Sequence, residues 1–165
     1  KVLNSLGAVA TKEVMKAAKK EFRTISLVFP CADERSNALN TVDRFCRRTP
    51  EDQLAEIIVV DDGSNPPMTQ LFAEDKRRLD QDTRCKLKIV RHETTIGLMA
   101  AKLTGGKVAT GDVVAFFDCH CSPKKGWHTE ILQQVQENPR RMVVPGITDL
   151  DLDTFDEKKD SAVNA

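Results

Sequence analysis

No stretch of this 165-residue chain approaches the roughly 18 consecutive apolar residues that a bilayer-spanning helix requires. No charged start followed by an apolar core and a small-residue cleavage site marks a secretory leader. Net charge is lacking as well. Lys+Arg and Asp+Glu both number 25, so nothing in the balance points to a polyanion such as nucleic acid. The segment is therefore expected to contact neither membrane nor nucleic acid. A Walker phosphate loop and a Ser/His/Asp hydrolase pattern are absent. So are internal repeats and low-complexity runs. Cysteine is present five times, at Cys31, Cys46, Cys85, Cys119 and Cys121, an odd count that leaves at least one unpaired. No pair has zinc or redox spacing, and Cys119-x-Cys121 is too tight for a structural zinc ribbon. The expectation is a few buried thiols. Composition leaves the redox compartment open. The chain starts at Lys1 rather than at a methionine and is expected to be a piece of a longer product.

What is present is ordinary for one globular α/β domain: 40% hydrophobic and 30% charged residues. Residues 11–22 predict a charged, exposed helix with Thr11 as its cap. A buried strand is expected over 25–29, stopped by Pro30. Helical spacing follows over 36–47, with Ser36 as the candidate cap. Ile57-Ile-Val-Val60 shows no polar alternation, which fits a parallel strand covered on both faces. It runs into a dense loop signal from Asp61 to Pro67. A helix over about 68–80 and a shorter strand nearer the edge over 87–90 come next. The helix over 97–109 is rich in small residues. Its Gly105 and Gly106 cost roughly 1 kcal/mol each relative to alanine, a loss that close packing would compensate. A fourth strand over 113–117, a helix over 127–136 and a fifth strand over 142–145 complete the pattern. The organisation expected is a lead-in helix over 1–22, one domain over 23–157 and a polar, frayed tail over 158–165. Alternating strands and helices imply a mostly parallel sheet with helices on both faces.

Three acidic clusters follow three of these strands: Asp33-Glu34, Asp61-Asp62 and Asp118. Ligands of open α/β sheets bind at the carboxyl ends of the strands, so these groups are expected on one rim. In an extended segment, residues i and i+2 point to the same side, so Asp118 and His120 can reach one ion. One carboxylate with one imidazole suits manganese better than calcium or magnesium. Such an ion would neutralise a diphosphate leaving group. Asp61 and Asp62, acceptors when ionised, suit a base N–H or ribose hydroxyls. Gly97 opens a helix on which Lys102 can set a positive charge near a diphosphate. Each element also has a plain reading: loop acids capping turns, a surface histidine, a solvated lysine. His92 and His128 show no evident partner in the sequence and receive no role.

Taken together, the segments resemble the polypeptide N-acetylgalactosaminyltransferases. The resemblance rests on Ile25-Ser-Leu-Val-Phe29, Ala38-Leu-Asn-Thr-Val42, Glu56-Ile-Ile-Val-Val-Asp-Asp-Gly-Ser64, Ile96-Gly-Leu-Met99, Phe117-Asp-Cys-His-Cys121, Gly126-Trp127 and Asp153-Thr-Phe155. It covers residues 23–156, and the aspartate-x-histidine-cysteine segment followed by glycine-tryptophan is its most specific part. The resemblance implies a type-A glycosyltransferase fold, Rossmann-like and here incomplete. It also implies retaining, manganese-dependent transfer of N-acetylgalactosamine from a UDP donor to Ser or Thr of a protein acceptor. On it, Asp118 and His120 match the metal pair, and Asp62 matches an aspartate at the uridine side of the donor. Lys102 stands where the family has a phosphate-facing arginine. The family's histidine near uracil is missing, and Thr95 and Ala100 replace frequent arginines. The third metal ligand and most of the acceptor site belong to residues further on. The segment is thus expected to be the donor half, inactive in transfer by itself. A Golgi-lumen location, in a type II membrane protein, follows from the family. The competing readings are a transferase of another UDP-sugar and a non-catalytic nucleotide-sugar-binding module.

Overall fold

A computed structural model describes residues 20–74 and 85–158. Four strands, β1 (Ile25–Cys31), β2 (Leu54–Asp62), β3 (Leu87–His92) and β4 (Val113–Phe116), pair in parallel in the order β3-β2-β1-β4. The period of two sorts their side chains to two faces. Ile25, Leu27 and Phe29 of β1 and Ile57 and Val59 of β2 face one side. Helix α1 (Ser36–Arg48) covers that side with Val42 and Phe45, and α2 (Met68–Glu74) with Met68 and Phe72. Helix α4 (Trp127–Glu137) adds Ile131. Phe45 is the hub of an aromatic group, 5.1 Å from Phe29, 4.9 Å from Phe117 and 5.2 Å from Trp127 between ring centroids. Each fully buried side chain of this size contributes on the order of 1.5–3 kcal/mol.

Val28, Ile58 and Val60 face the other side, under Ala101 of α3 (Leu98–Val108). The helix comes close because Gly105 carries no side chain. A Cβ there would lie 2.3 Å from Val28 Cγ1. Gly105 thus has the packing reason that its cost requires, while a Cβ on Gly106 would make only ordinary contact, 3.5 Å from Phe116.

Several expectations are corrected. Of the helix expected over 11–22, only residues 20–22 are described, and they are not helical. Ser36 is the first helical residue and not the cap. Arg35 holds the cap position at φ 47, with no side-chain capping bond. Strand β1 continues through Pro30, because β4 pairs only as far as Val28 and leaves Pro30 opposite no donor-demanding neighbour on that side. Strand β2 takes in Asp61 and Asp62, which were expected in the loop. Of the helix expected over 68–80, residues 75–80 lie outside the described residues. The strand expected over 142–145 does not form. Met142 and Val144 are 87% and 71% exposed, no strand among the described residues pairs with them, and Pro145 lacks a donor. A small antiparallel pair, β5 (Leu150–Asp151) with β6 (Asp156–Glu157), follows instead. The tail beyond residue 158 is outside the described residues.

The cysteines are corrected too. Cys31–Cys119 and Cys46–Cys85 are disulfides, and Cys121 is the free thiol. Their partners are 88 and 39 residues apart, so only the folded chain brings them together.

At the amino ends of the strands, Glu56 is buried at 2% exposure. It accepts from Ser26 Oγ at 2.7 Å, from Thr110 Oγ1 at 2.8 Å and from Lys88 Nζ. Burial pushes its carboxyl up, and these bonds, Lys88 first, outweigh that and bring it down to about 2.

Candidate nucleotide-sugar site at the strand ends

From β1 the chain passes to β2 and β3 on one side, then crosses back to form β4 on the other. The switch point therefore lies between the carboxyl ends of β1 and β4, where an open α/β sheet leaves a crevice. The Cys31–Cys119 disulfide joins those two ends. Thr41 of α1 fixes the same turn: its hydroxyl donates to Cys119 O at 2.8 Å and accepts from the Cys121 N–H at 3.1 Å.

Cys119 is buried, and its neighbours Asp118 and His120 are both exposed. Cys119 and His120 form a turn and not the extended segment expected. The inward cysteine still leaves the two candidate ligands on the solvent side. Glu34 comes from the loop after β1, and its Oε1 lies 3.3 Å from His120 Nδ1. Burial, then the Asp118 carboxylate, pushes the Cys121 thiol up to about 11. Among the described residues no group of three or more His, Cys, Asp and Glu side chains is arranged to hold an ion. The exposed carboxylate of Asp118 and imidazole of His120 offer one oxygen and one nitrogen donor, types that suit a manganese-like ion.

Asp33 does not join that pair. At φ 56 its N–H donates to Ser64 Oγ at 3.0 Å, and its Oδ1 accepts from the Asn65 N–H at 2.9 Å. It ties the loop after β1 to the turn after β2. Asp61 is wholly buried and accepts from the Ser64 and Met68 N–H groups at 2.9 and 3.0 Å and from Arg91. Burial would raise its carboxyl, and these donors outweigh that and lower it. Its oxygens shape the turn that starts α2. Asp62 is 4% exposed. Its Oδ1 accepts from the Ile96 N–H at 3.0 Å and faces His92 Nδ1 at 2.8 Å, and its Oδ2 accepts from the Gly97 N–H at 2.9 Å. One acceptor direction on Oδ2 remains. Gly97 caps α3 at φ 98, a conformation that favours glycine. Lys102, half-buried on α3, has no ion-pair or hydrogen-bond partner among the described residues.

The sequence reading missed His92, Arg91 and Thr41. The first two follow from the rule that placed the acids, since both close β3 at the same rim. Thr41 lies inside a helix, where the chain offers no signal of its target.

The family profile described as "Glycosyl transferase family 2" matches residues 26–163. Human polypeptide N-acetylgalactosaminyltransferase 18 is 32% identical over 134 residues, 80% of this chain and 22% of that protein. The chain spans about a fifth of the length of the curated relatives it matches. Among solved structures, GalNAc-T7 with UDP, GalNAc and Mn2+ superposes with a TM-score of 0.62 at 27% identity, over 72% of this chain and 22% of that one. The mannosyltransferase PcManGT of Pyrobaculum calidifontis, in complex with GDP-Man and Mn2+, gives 0.56 at 20% identity over 79% and 38%, a likeness of fold alone. The fold is that of the type-A nucleotide-diphospho-sugar transferases.

Proposed function

Because the chain belongs to glycosyl transferase family 2, we propose that it forms the donor-binding half of a retaining polypeptide N-acetylgalactosaminyltransferase that uses UDP-N-acetylgalactosamine and manganese. The observation that carries the proposal is the convergence at the switch point: exposed Asp118 and His120 beside a buried Cys119, with Glu34 on His120 Nδ1. Asp118 and His120 Nε2 would hold the ion. A bound manganese neutralises the donor's diphosphate and stabilises it as a leaving group. Asp62 presents its remaining acceptor site to a base N–H or ribose hydroxyl, with Asp61 behind it holding the turn. Gly97 and Lys102 lie on the side of the diphosphate, and Asp33 and Glu34 close the rim. The acceptor hydroxyl of a protein Ser or Thr is positioned by the rest of the enzyme, so this segment does not transfer sugar by itself. Two disulfides fit an oxidising compartment, and the Golgi lumen is the one proposed. No helix among the described residues is long and apolar enough to cross a membrane.

The test is competition between UDP-N-acetylgalactosamine, UDP-N-acetylglucosamine and GDP-mannose for the chain in the presence of manganese. Tightest binding of UDP-N-acetylgalactosamine is expected. Preference for either of the other two would assign the donor site to a different sugar. A transfer assay with a Ser/Thr-rich peptide should label nothing with this chain alone, and labelling would overturn the half-site reading.

A further inference from the structure

Behind the candidate site lies a hydrogen-bonded relay of three side chains, Asp62, His92 and Thr104. His92 ends β3, with Nδ1 2.8 Å from Asp62 Oδ1 and Nε2 3.0 Å from Thr104 Oγ1. The His92 and Asp62 side chains are only 14% and 5% exposed, so water does not substitute freely for either bond. The chemistry sets the protons. Burial works to raise the Asp62 carboxyl, and the donors from Ile96, His92 and Gly97 outweigh it and lower it, so Asp62 is an ionised acceptor. His92 therefore donates through Nδ1 to Asp62, and its Nε2 is hydrogen-bonded to the Thr104 hydroxyl.

The relay links two parts of the rim. Asp62 is held by three donors that fix its plane and leave one direction of Oδ2 open. Thr104 and Gly97 belong to opposite ends of one stretch of α3, and Lys102 lies between them. Both ends are tied to Asp62, Gly97 directly through its N–H and Thr104 through the imidazole. We infer that His92 is a positioning residue for nucleotide recognition, aiming the free acceptor of Asp62 through its Nδ1–H. The inference rests on the donor-site reading above.

The asparagine and glutamine variants separate the two nitrogens, because an Asn amide takes the place of Nδ1 and a Gln amide that of Nε2. With manganese present, His92→Asn should keep the parent's preference for UDP over ADP within about twofold, since its amide still donates to Asp62. His92→Gln and His92→Phe should reduce that preference about tenfold. Manganese affinity, read by titration without nucleotide, should stay unchanged in all three. A parent-like preference in His92→Gln, or an equal loss in the asparagine and glutamine variants, would overturn the inference. Nitrogen NMR of the parent needs no variant: a proton on Nδ1 of His92 is expected, and a neutral Nε2–H tautomer would overturn the relay. A parent that binds no nucleotide would instead sink the donor-site reading, and the inference with it.

Discussion

Glu34 Oε1 stands 3.3 Å from His120 Nδ1, so a carboxylate from the loop after β1 orients the imidazole after β4 across the switch point. A ring that donates through Nδ1 leaves Nε2 for a metal, the arrangement by which outer carboxylates orient ligating histidines. Glu34→Ala is expected to weaken manganese binding about tenfold, and Glu34→Gln less, because its carbonyl still accepts. Titration calorimetry with manganese reads both. An unchanged affinity in Glu34→Ala would show that the carboxylate has no part in the site.

The Cys31–Cys119 disulfide closes the same two strand ends and a span of 88 residues. Its removal in a Cys31→Ser, Cys119→Ser double variant should cost about 2–5 kcal/mol in denaturant unfolding. Peptide mapping without reductant should recover Cys31 with Cys119 and Cys46 with Cys85. Cys121, half-buried and held protonated, should react with alkylating reagent chiefly after unfolding. Alkylation of three or more native cysteines would contradict the pairing.

Gly105 and Gly97 differ in why they are glycine, and alanine separates the reasons. Gly105→Ala drives a methyl to 2.3 Å from Val28 Cγ1 and should cost about 1–3 kcal/mol through overpacking. Gly97→Ala meets nothing within 4 Å, so its cost, about 1–3 kcal/mol, comes from the backbone at φ 98 and ψ 159, a region essentially confined to glycine. Only the Gly97 variant should also weaken nucleotide binding, because an alanine relieves φ 98 by shifting the backbone whose N–H donates to Asp62. Equal loss of binding in the two would argue that both act through stability.

Glu56 sets an acid limit on the fold. Its carboxyl lies near 2 in the folded chain against an ordinary value of 4.5. A depressed folded value stabilises above the unfolded one, so the contribution is complete above about pH 4.5 and is lost as pH falls towards 2. The difference between 4.5 and about 2 corresponds to about 3 kcal/mol. Glu56→Gln should be less stable than the parent by a constant amount above about pH 5, with the gap closing on acidification. A gap independent of pH down to 2 would assign the loss to packing.

The central strand was legible because Ile57-Ile-Val-Val60 carries no polar alternation, which fits a short strand covered on both faces. The rim was legible because acids directly follow such runs. What those acids do was not. Asp61 and Asp62 have the letters of a turn, and their donors, Arg91, Ile96 and Gly97, lie some thirty residues on. The disulfides were hidden for the same reason. Met142-Val-Val144 has the composition of a strand, but a strand needs a neighbour, and neighbours are set by topology. Ser36 has the letter of a cap, yet the backbone turns one residue earlier, at Arg35.

The proposed donor site depends most on metal-dependent nucleotide binding at Asp118 and His120. The direct measurement is the shift in Tm of the chain on adding UDP, with manganese and with a chelator, for the parent and for Asp118→Ala. Ligand that binds only the folded state raises Tm with the logarithm of its concentration relative to Kd. UDP with manganese should raise the parent's Tm clearly, chelator should remove most of that rise, and Asp118→Ala should show little rise in either condition. Equal shifts with and without manganese, or an undiminished shift in Asp118→Ala, would contradict a donor site built on these residues.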